Sequence, residues 1–211
     1  MTTATAIKER PILFSGPMVR AILEGRKTQT RRIVKLGFGG SFGRSDTPGY
    51  DWTFRGSRRG CVHGDGSGCW QDLRHEQLLK LCPYGRIGDR LWVREHCAIQ
   101  QGNRVSNPHY FAEGPMPSLD DRHDAGLLKS KPSIHMPRWA SRISLEITGV
   151  RVERLNEITL SDVAAEGVPP NNEAGWDSVE SFRSLWESIN GAGSWAANPW
   201  VWVVEFRRLE E

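Results

Sequence analysis

The segment Trp200–Phe206 reads WVWVVEF, a nearly continuous apolar run interrupted only by Glu205. A run of this length is a buried strand, and the carboxylate inside it must be paired and half-buried. Two further segments read as strands. Arg142–Leu155 alternates through Ile143, Leu145 and Ile147, then changes phase at Gly149 to Val150 and Val152. A glycine at a phase change marks a turn or a bulge in a curved sheet. Asp89–Glu95 (DRLWVRE) follows the turn Gly85-Arg86-Ile87-Gly88, and Glu95 at its end either faces a cleft or, the simpler expectation, forms a structural ion pair with Arg90, Arg94 or Arg142.

Helices are few. Ser15-Gly16-Pro17 opens one, with a small capping residue and proline in the first turn, and Gly25 closes it. Met18, Val19, Ile22 and Leu23 form its apolar side. Thr159–Glu166 is a second, capped by Thr159 or Ser161 and stopped by Gly167. Ser178–Asn190 is a third, with Val179, Phe182, Leu185, Trp186 and Ile189 on one face. Gln71–Leu81 holds a shorter one. Strands separated by loops, with helices around them, predict an α+β chain built on a small β-barrel with peripheral helices.

The 211 residues suffice for one domain over 11–211, after a loose tail at 1–10. Two irregular insertions are expected, at about 36–81 and 103–131. The first is rich in Gly, Ser, Arg and Asp and reads as a flap. The second carries Pro108, Pro115 and Pro117. No apolar run approaches a membrane span and no signal-peptide layout opens the chain, so a cytoplasmic protein without a membrane partner is expected. The net charge of +3 permits nucleic-acid binding without arguing for it. Oligomeric state is not legible. Cys61, Cys69, Cys82 and Cys97 lack C-x-x-C spacing. Reduced thiols are the simplest reading; Cys61, His63, Cys69 and Cys82 (or His75) are a weak zinc alternative.

The chemistry-bearing stretch is Gly25-Arg26-Lys27-Thr28-Gln29-Thr30-Arg31-Arg32, four cations and two hydroxyls in eight residues after the first helix. Basic side chains beside small donors suit a phosphate or nucleotide. Arg26, Thr28, Arg31 and Arg32 are candidates for that contact, or else form a solvated charged face. Lys27 and Thr30 project to opposite faces if the segment is extended and converge if it turns. A lysine in an apolar cleft loses preference for its charged form and can take a proton from a hydroxyl, or it stays charged and stabilises an oxyanion. Trp139, one of nine tryptophans, lies in a Pro-Arg-Trp loop near His135. Both could meet a base, and both could pack.

Leu23–Arg31, Gly88-Asp89-Arg90-Leu91-Trp92-Val93, Ile147-Thr148-Gly149-Val150 and Trp202–Phe206 together resemble an ASCH domain. Ser133–Arg142 and Cys82-Pro83-Tyr84-Gly85 resemble the subgroup often found in phages and prophages. The resemblance implies a PUA-like β-barrel, a fold that binds RNA or modified bases in a cleft. Some small ASCH proteins are amidohydrolases that deacylate N4-acetylcytidine. Their catalytic lysine falls on Lys27, their threonine on Thr30, and their glutamate, by matching Leu155–Val168, on Glu166. Other ASCH proteins are described as ribonucleases, so the fold alone does not name the chemistry. Three readings follow: an amidohydrolase of an N4-acylated cytosine nucleoside or related modified base, a non-catalytic reader of RNA or modified single-stranded nucleic acid, and a ribonuclease. None requires a cofactor. The chain is longer than a bare ASCH barrel, and its insertions could reshape the cleft.

Overall fold

The computed structural model describes residues 6–35, 40–56, 69–100, 108–115, 128–168 and 178–210. In chain order the elements are β1 (Glu9–Leu13), α1 (Gly16–Leu23), β2 (Gln29–Ile33), β3 (Gly40–Arg44), β4 (Trp52–Gly56), β5 (Cys69–Leu73), α2 (His75–Leu79), β6 (Arg90–Arg94), β7 (Cys97–Gln100), β8 (His109–Tyr110), β9 (Leu128–Lys131), β10 (Ser144–Arg154), α3 (Leu160–Ala165), α4 (Ser178–Asn190) and β11 (Trp200–Leu209). The fold is α+β. The described strands form no closed barrel but three open sheets, ordered β1-β6-β10-β11-β2, β3-β4-β5 and β8-β7-β9.

The central sheet explains the apolar run. Val201 and Val203 face a cluster with Leu155, Ile158, Val163, Phe182 and Trp186, which α3 and α4 lay over one side. Trp202, Val204 and Phe206 face the other, larger core with Phe14, Val19, Ile22, Leu91 and Leu145. Successive residues of a strand point to opposite faces, so a strand covered on both sides has no polar alternation to show. β10 pairs with β11 along its whole length, with a register shift between Ile147 and Gly149, where the phase change predicted a bulge. The Glu205 carboxylate lies where a side chain at residue 149 would start, and it pairs with Arg151.

Two expectations are corrected. The tail is ordered by Glu9: β1 pairs in parallel with β6, from Glu9 opposite Arg90 to Leu13 opposite Arg94. The first insertion is no featureless flap either. It holds the meander β3-β4-β5, and Trp52 is fully buried between Phe42 and Trp200, with ring centroids 5.2 and 4.9 Å away. Arg44 and Arg154 lie 4.2 and 4.3 Å over Trp52 and Trp200, so the meander is fastened to the start of β11 by stacked aromatic and cationic groups. The second insertion contributes β8 and β9, paired to either side of β7.

The helices follow their signals. Gly25 and Gly167 take positive φ, 74° and 77°, and end α1 and α3. Thr159 caps α3 in a reciprocal box: Asp162 N–H donates to its hydroxyl at 3.2 Å, and Thr159 N–H donates back to Asp162 at 3.0 Å. No helix among the described residues is long and apolar enough to cross a membrane.

Candidate active site

Lys27 and Glu166 meet at the junction between the end of α1 and the end of α3. Lys27 and Arg26 N–H both donate to the Ala21 carbonyl, which folds the chain back after Gly25. Thr28 N–H then donates to the Ala165 carbonyl at 2.8 Å, which pairs Lys27 with Glu166 in an antiparallel bridge. Lys27 Nζ donates to Glu166 Oε2 at 2.8 Å and to the Glu166 carbonyl oxygen at 2.8 Å. A carboxylate at a helix C-terminus is disfavoured by the peptide dipoles, by roughly 0.3–1 kcal/mol. Here one ammonium serves both the carboxylate and the orphan carbonyl, which offsets that cost. Gly167 is required where it stands. Its φ is positive, and a Cβ there would sit 2.8 Å from the Cβ atoms of both Lys27 and Ala21.

A second cation shares the glutamate. Arg31 Nη1 lies 3.3 Å from Glu166 Oε1, while Nη2 reaches Glu153 and, at 3.3 Å, Asp162. Gln29 donates to Asp162 from the same face of β2, and Arg151 bridges Glu153, Asp162 and Glu205. The side chains of Lys27 and Arg31 are wholly removed from solvent, and Glu166 is nearly so. Burial pulls the Lys27 ammonium below the ordinary lysine range. The charge and hydrogen bond of Glu166 oppose this, and Arg32 and Arg31 add to the lowering. Lys27 Nζ also lies 5.5 Å from the Phe14 ring centre, and the Arg32 guanidinium 5.6 Å from the same ring.

Beside this network opens a cavity of about 250 Å³, lined by Thr30, Arg31, Arg32, Glu166, Tyr84, Trp186 and Asn190 among others. It lies along the free edge of the central sheet, since β2 is the last strand. Thr28 and Val34 hydrogen-bond to β11, so by the antiparallel alternation the backbone groups of Arg31 and Ile33 turn outward. Three buried N–H donors of the lining residues have no partner among the described residues: Arg31 Nε, Arg32 Nε and Trp186 Nε1. Buried donors are seldom left so, and a ligand rich in acceptor oxygens would satisfy them.

The sequence candidates therefore divide. Lys27 and Glu166 touch, and Thr30 lines the same cavity as Glu166, although it and Arg31 are neighbours on a strand. Lys27 does not line the cavity itself and meets it through Glu166. Arg32 lines it while donating to the Leu13 carbonyl. Arg31 is engaged by carboxylates rather than offered to a phosphate. Arg26 is exposed and bonded to Glu24 and the Gly167 carbonyl, and Thr28 is exposed. Trp139 and His135 sit in exposed 3₁₀ turns and line no described cavity. Of the zinc candidates, Cys61 and His63 lie outside the described residues, and no metal-holding group of His, Cys, Asp and Glu occurs among the described ones.

Reasoning from the sequence missed Glu153 and Asp162 as partners of Arg31, and Tyr84 and Trp186 as cavity walls. Some signal existed. Arg151 and Glu153 are two apart on a strand, hence on one face, and Asp162 stands at the third position of a capping box. No family model, curated protein or solved structure matches this chain.

Proposed function

We propose that the chain is an ASCH-type amidohydrolase, with the central sheet a PUA-like relative opened and elaborated by insertions, acting on an N4-acylated cytosine nucleoside or a related modified base. The observation that carries this reading is the contact of buried Lys27 with Glu166 at 2.8 Å, on the wall of a cavity that Thr30 also lines. The cavity is near the lower end of small-molecule site volumes, which suits one nucleoside better than a broad groove.

In this reading the Thr30 hydroxyl passes its proton, by way of the Glu166 carboxylate that lines the cavity, to the neutral amine of Lys27 as Thr30 Oγ1 adds to the acyl carbonyl carbon. The unpartnered Arg31 and Trp186 donors face the developing oxyanion. The carbon–nitrogen bond then breaks and the exocyclic nitrogen leaves with the proton that Lys27 returns. Water hydrolyses the acyl-threonine ester, releasing the carboxylic acid and restoring Thr30. Glu166 orients Lys27 throughout and moderates its basicity.

Incubation with N4-acetylcytidine, followed by chromatography for cytidine, tests this. Lys27→Met, Thr30→Val and Glu166→Gln are each expected to lower kcat by about 10²–10⁴-fold, the range of a positioned acid–base group. Absence of cytidine from the unaltered protein would remove the reading. A non-catalytic reader of nucleic acid is the second reading, favoured by Arg32 and Lys35 at the cavity; it predicts binding without turnover.

A further inference from the structure

A second, smaller cavity of about 60 Å³ lies on the other side of the turn that walls the first. Pro83 and Tyr84 line the large cavity, and their neighbours Cys82 and Gly85 line the small one. The turn is tight: Gly85 N–H donates to the Cys82 carbonyl at 3.3 Å, and Gly85 takes φ 126°. A Cβ at residue 85 would sit 2.8 Å from Arg10 Nη1 and 2.9 Å from Asp89 Oδ2, so the turn is pressed against that ion pair.

The remaining walls of the small cavity are Ala6, Lys8, Arg10, Lys80, Arg86 and Asp89. The one carboxylate is fully engaged. Asp89 accepts from Lys8 N–H at 3.0 Å, Arg86 N–H at 3.1 Å and Arg10 Nη1 at 2.9 Å. The side chains of Lys8, Lys80 and Arg86 have no ion pair among the described residues and are exposed. A net charge of only +3 over the whole chain makes this concentration local. Like cations held together around a small polar recess, with their carboxylate already committed to the backbone, are an anion site. The volume is too small for a ring and accommodates the oxygens of one phosphate.

We infer that the substrate reaches the large cavity as part of a single-stranded nucleic acid: the base enters beside Tyr84 while the neighbouring phosphate crosses the Cys82–Gly85 turn and rests on Lys8, Lys80 and Arg86. Arg10 stays with Asp89 and supports the floor. Tyr84 offers its ring on the base side of the same turn, so stacking and phosphate binding are delivered by adjacent residues. This rests on the base-binding reading of the large cavity, and it makes the polymer rather than the free nucleoside the preferred ligand.

The test uses the full chain and the triple substitution Lys8→Gln, Lys80→Gln, Arg86→Gln, whose positions are exposed and outside the catalytic group. Fluorescence anisotropy with a labelled nine-nucleotide RNA, and with the same sequence as DNA, is read at several salt concentrations. Turnover is read on N4-acetylcytidine and on the same base within the nine-nucleotide RNA. The substitutions are expected to weaken RNA binding at least 10-fold and to shrink the slope of log affinity against log salt by about 0.7 for each phosphate no longer neutralised. They should lower kcat/KM on the RNA by a similar factor and leave the free nucleoside unchanged. Equal RNA affinity and slope in the two proteins would overturn the inference, even if the nucleoside is deacylated. Substitution-sensitive RNA binding with no turnover of either substrate would support the phosphate site and discard the amidohydrolase. DNA bound with the same sensitivity assigns the binding to the shared phosphate; RNA bound far more tightly adds recognition of the ribose.

Discussion

Among the described residues two glutamates are buried against a cation, and they differ in ways that separate structure from chemistry. Glu95 is 1% exposed and takes the Arg142 guanidinium as a fork, Nε to Oε1 at 2.9 Å and Nη2 to Oε2 at 3.1 Å. Arg142 cannot release its proton at any ordinary pH, stacks 3.9 Å over Tyr110, and also pairs with Glu113. Neither residue lines a described cavity. Glu166 is 4% exposed but divides its oxygens between two different cations, one of them a lysine whose charge is weakened by burial, and it forms part of a cavity wall. A saturated fork holds a shape. A carboxylate shared with a titratable amine at a cavity can take part in a proton transfer.

The largest expected effect tests that contrast in turnover. Glu166→Gln should cost about 3–5 kcal/mol of transition-state stabilisation, the equivalent of 10²–10⁴-fold, while Glu95→Gln leaves kcat within a few-fold in whatever protein remains folded. The unaltered protein's kcat should rise with pH through a limb below the ordinary lysine value, because only neutral Lys27 accepts a proton and burial lowers its pKa. A limb at the ordinary value, or none, would put Lys27 in the structural class with Arg142.

Stability comes next. Arg142→Met should lose about 3 kcal/mol in urea unfolding because Glu95 stays buried without its partner, and Glu95→Leu added to it should recover most of the loss. The same experiment with Lys27→Met and Glu166→Leu should recover stability and not activity. That outcome would show the second pair to be retained for something other than folding. Gly167→Ala follows, at about 2–3 kcal/mol from the left-handed backbone and the clash with Lys27. A denaturation midpoint unmoved by it would mean that the Lys27–Glu166 bridge tolerates displacement.

A smaller, pH-confined loss is expected at Asp162. Burial pushes its carboxyl up, but the Thr159 hydroxyl and N–H, the Gln29 amide and Arg31 together hold it well below the usual range. A depressed folded value contributes stability above the unfolded pKa, about 3.9, and loses it as pH falls below that. Urea midpoints between pH 5 and pH 2 should therefore fall less steeply in Thr159→Ala than in the unaltered chain. The smallest effects belong to the aromatic and basic groups outside the cavity. Trp139→Ala and His135→Ala should each change stability by no more than about 0.5 kcal/mol and turnover by less than about 2-fold.

The parts legible in the sequence were those whose signal is local. β10, β11, α3 and α4 each carry their own periodicity and stop residues within a dozen positions. β1 escaped because it is short and opens on charged residues, and only the distant partner β6 makes it a strand. The meander escaped because the residues that seat it on the core, Phe42, Trp52 and Leu73, are far apart in a segment rich in Gly, Ser, Arg and Asp. The meeting of Lys27 with Glu166 was legible through a resemblance in motif order. Arg31's engagement with Glu153 and Asp162 was not, since a guanidinium in a basic run looks the same whether it faces solvent or three carboxylates.

The stack of Phe42, Trp52 and Trp200 under Arg44 and Arg154 has a kinetic consequence. Trp52 cannot leave its place without uncovering Trp200, and Trp200 opens the strand that pairs with β2 and so bounds the cavity. Amide hydrogen exchange in β4 should thus occur through the same rare openings as in β11, not through frequent separate excursions. The meander would then report, from a distance, on how often the cavity edge of the sheet breathes.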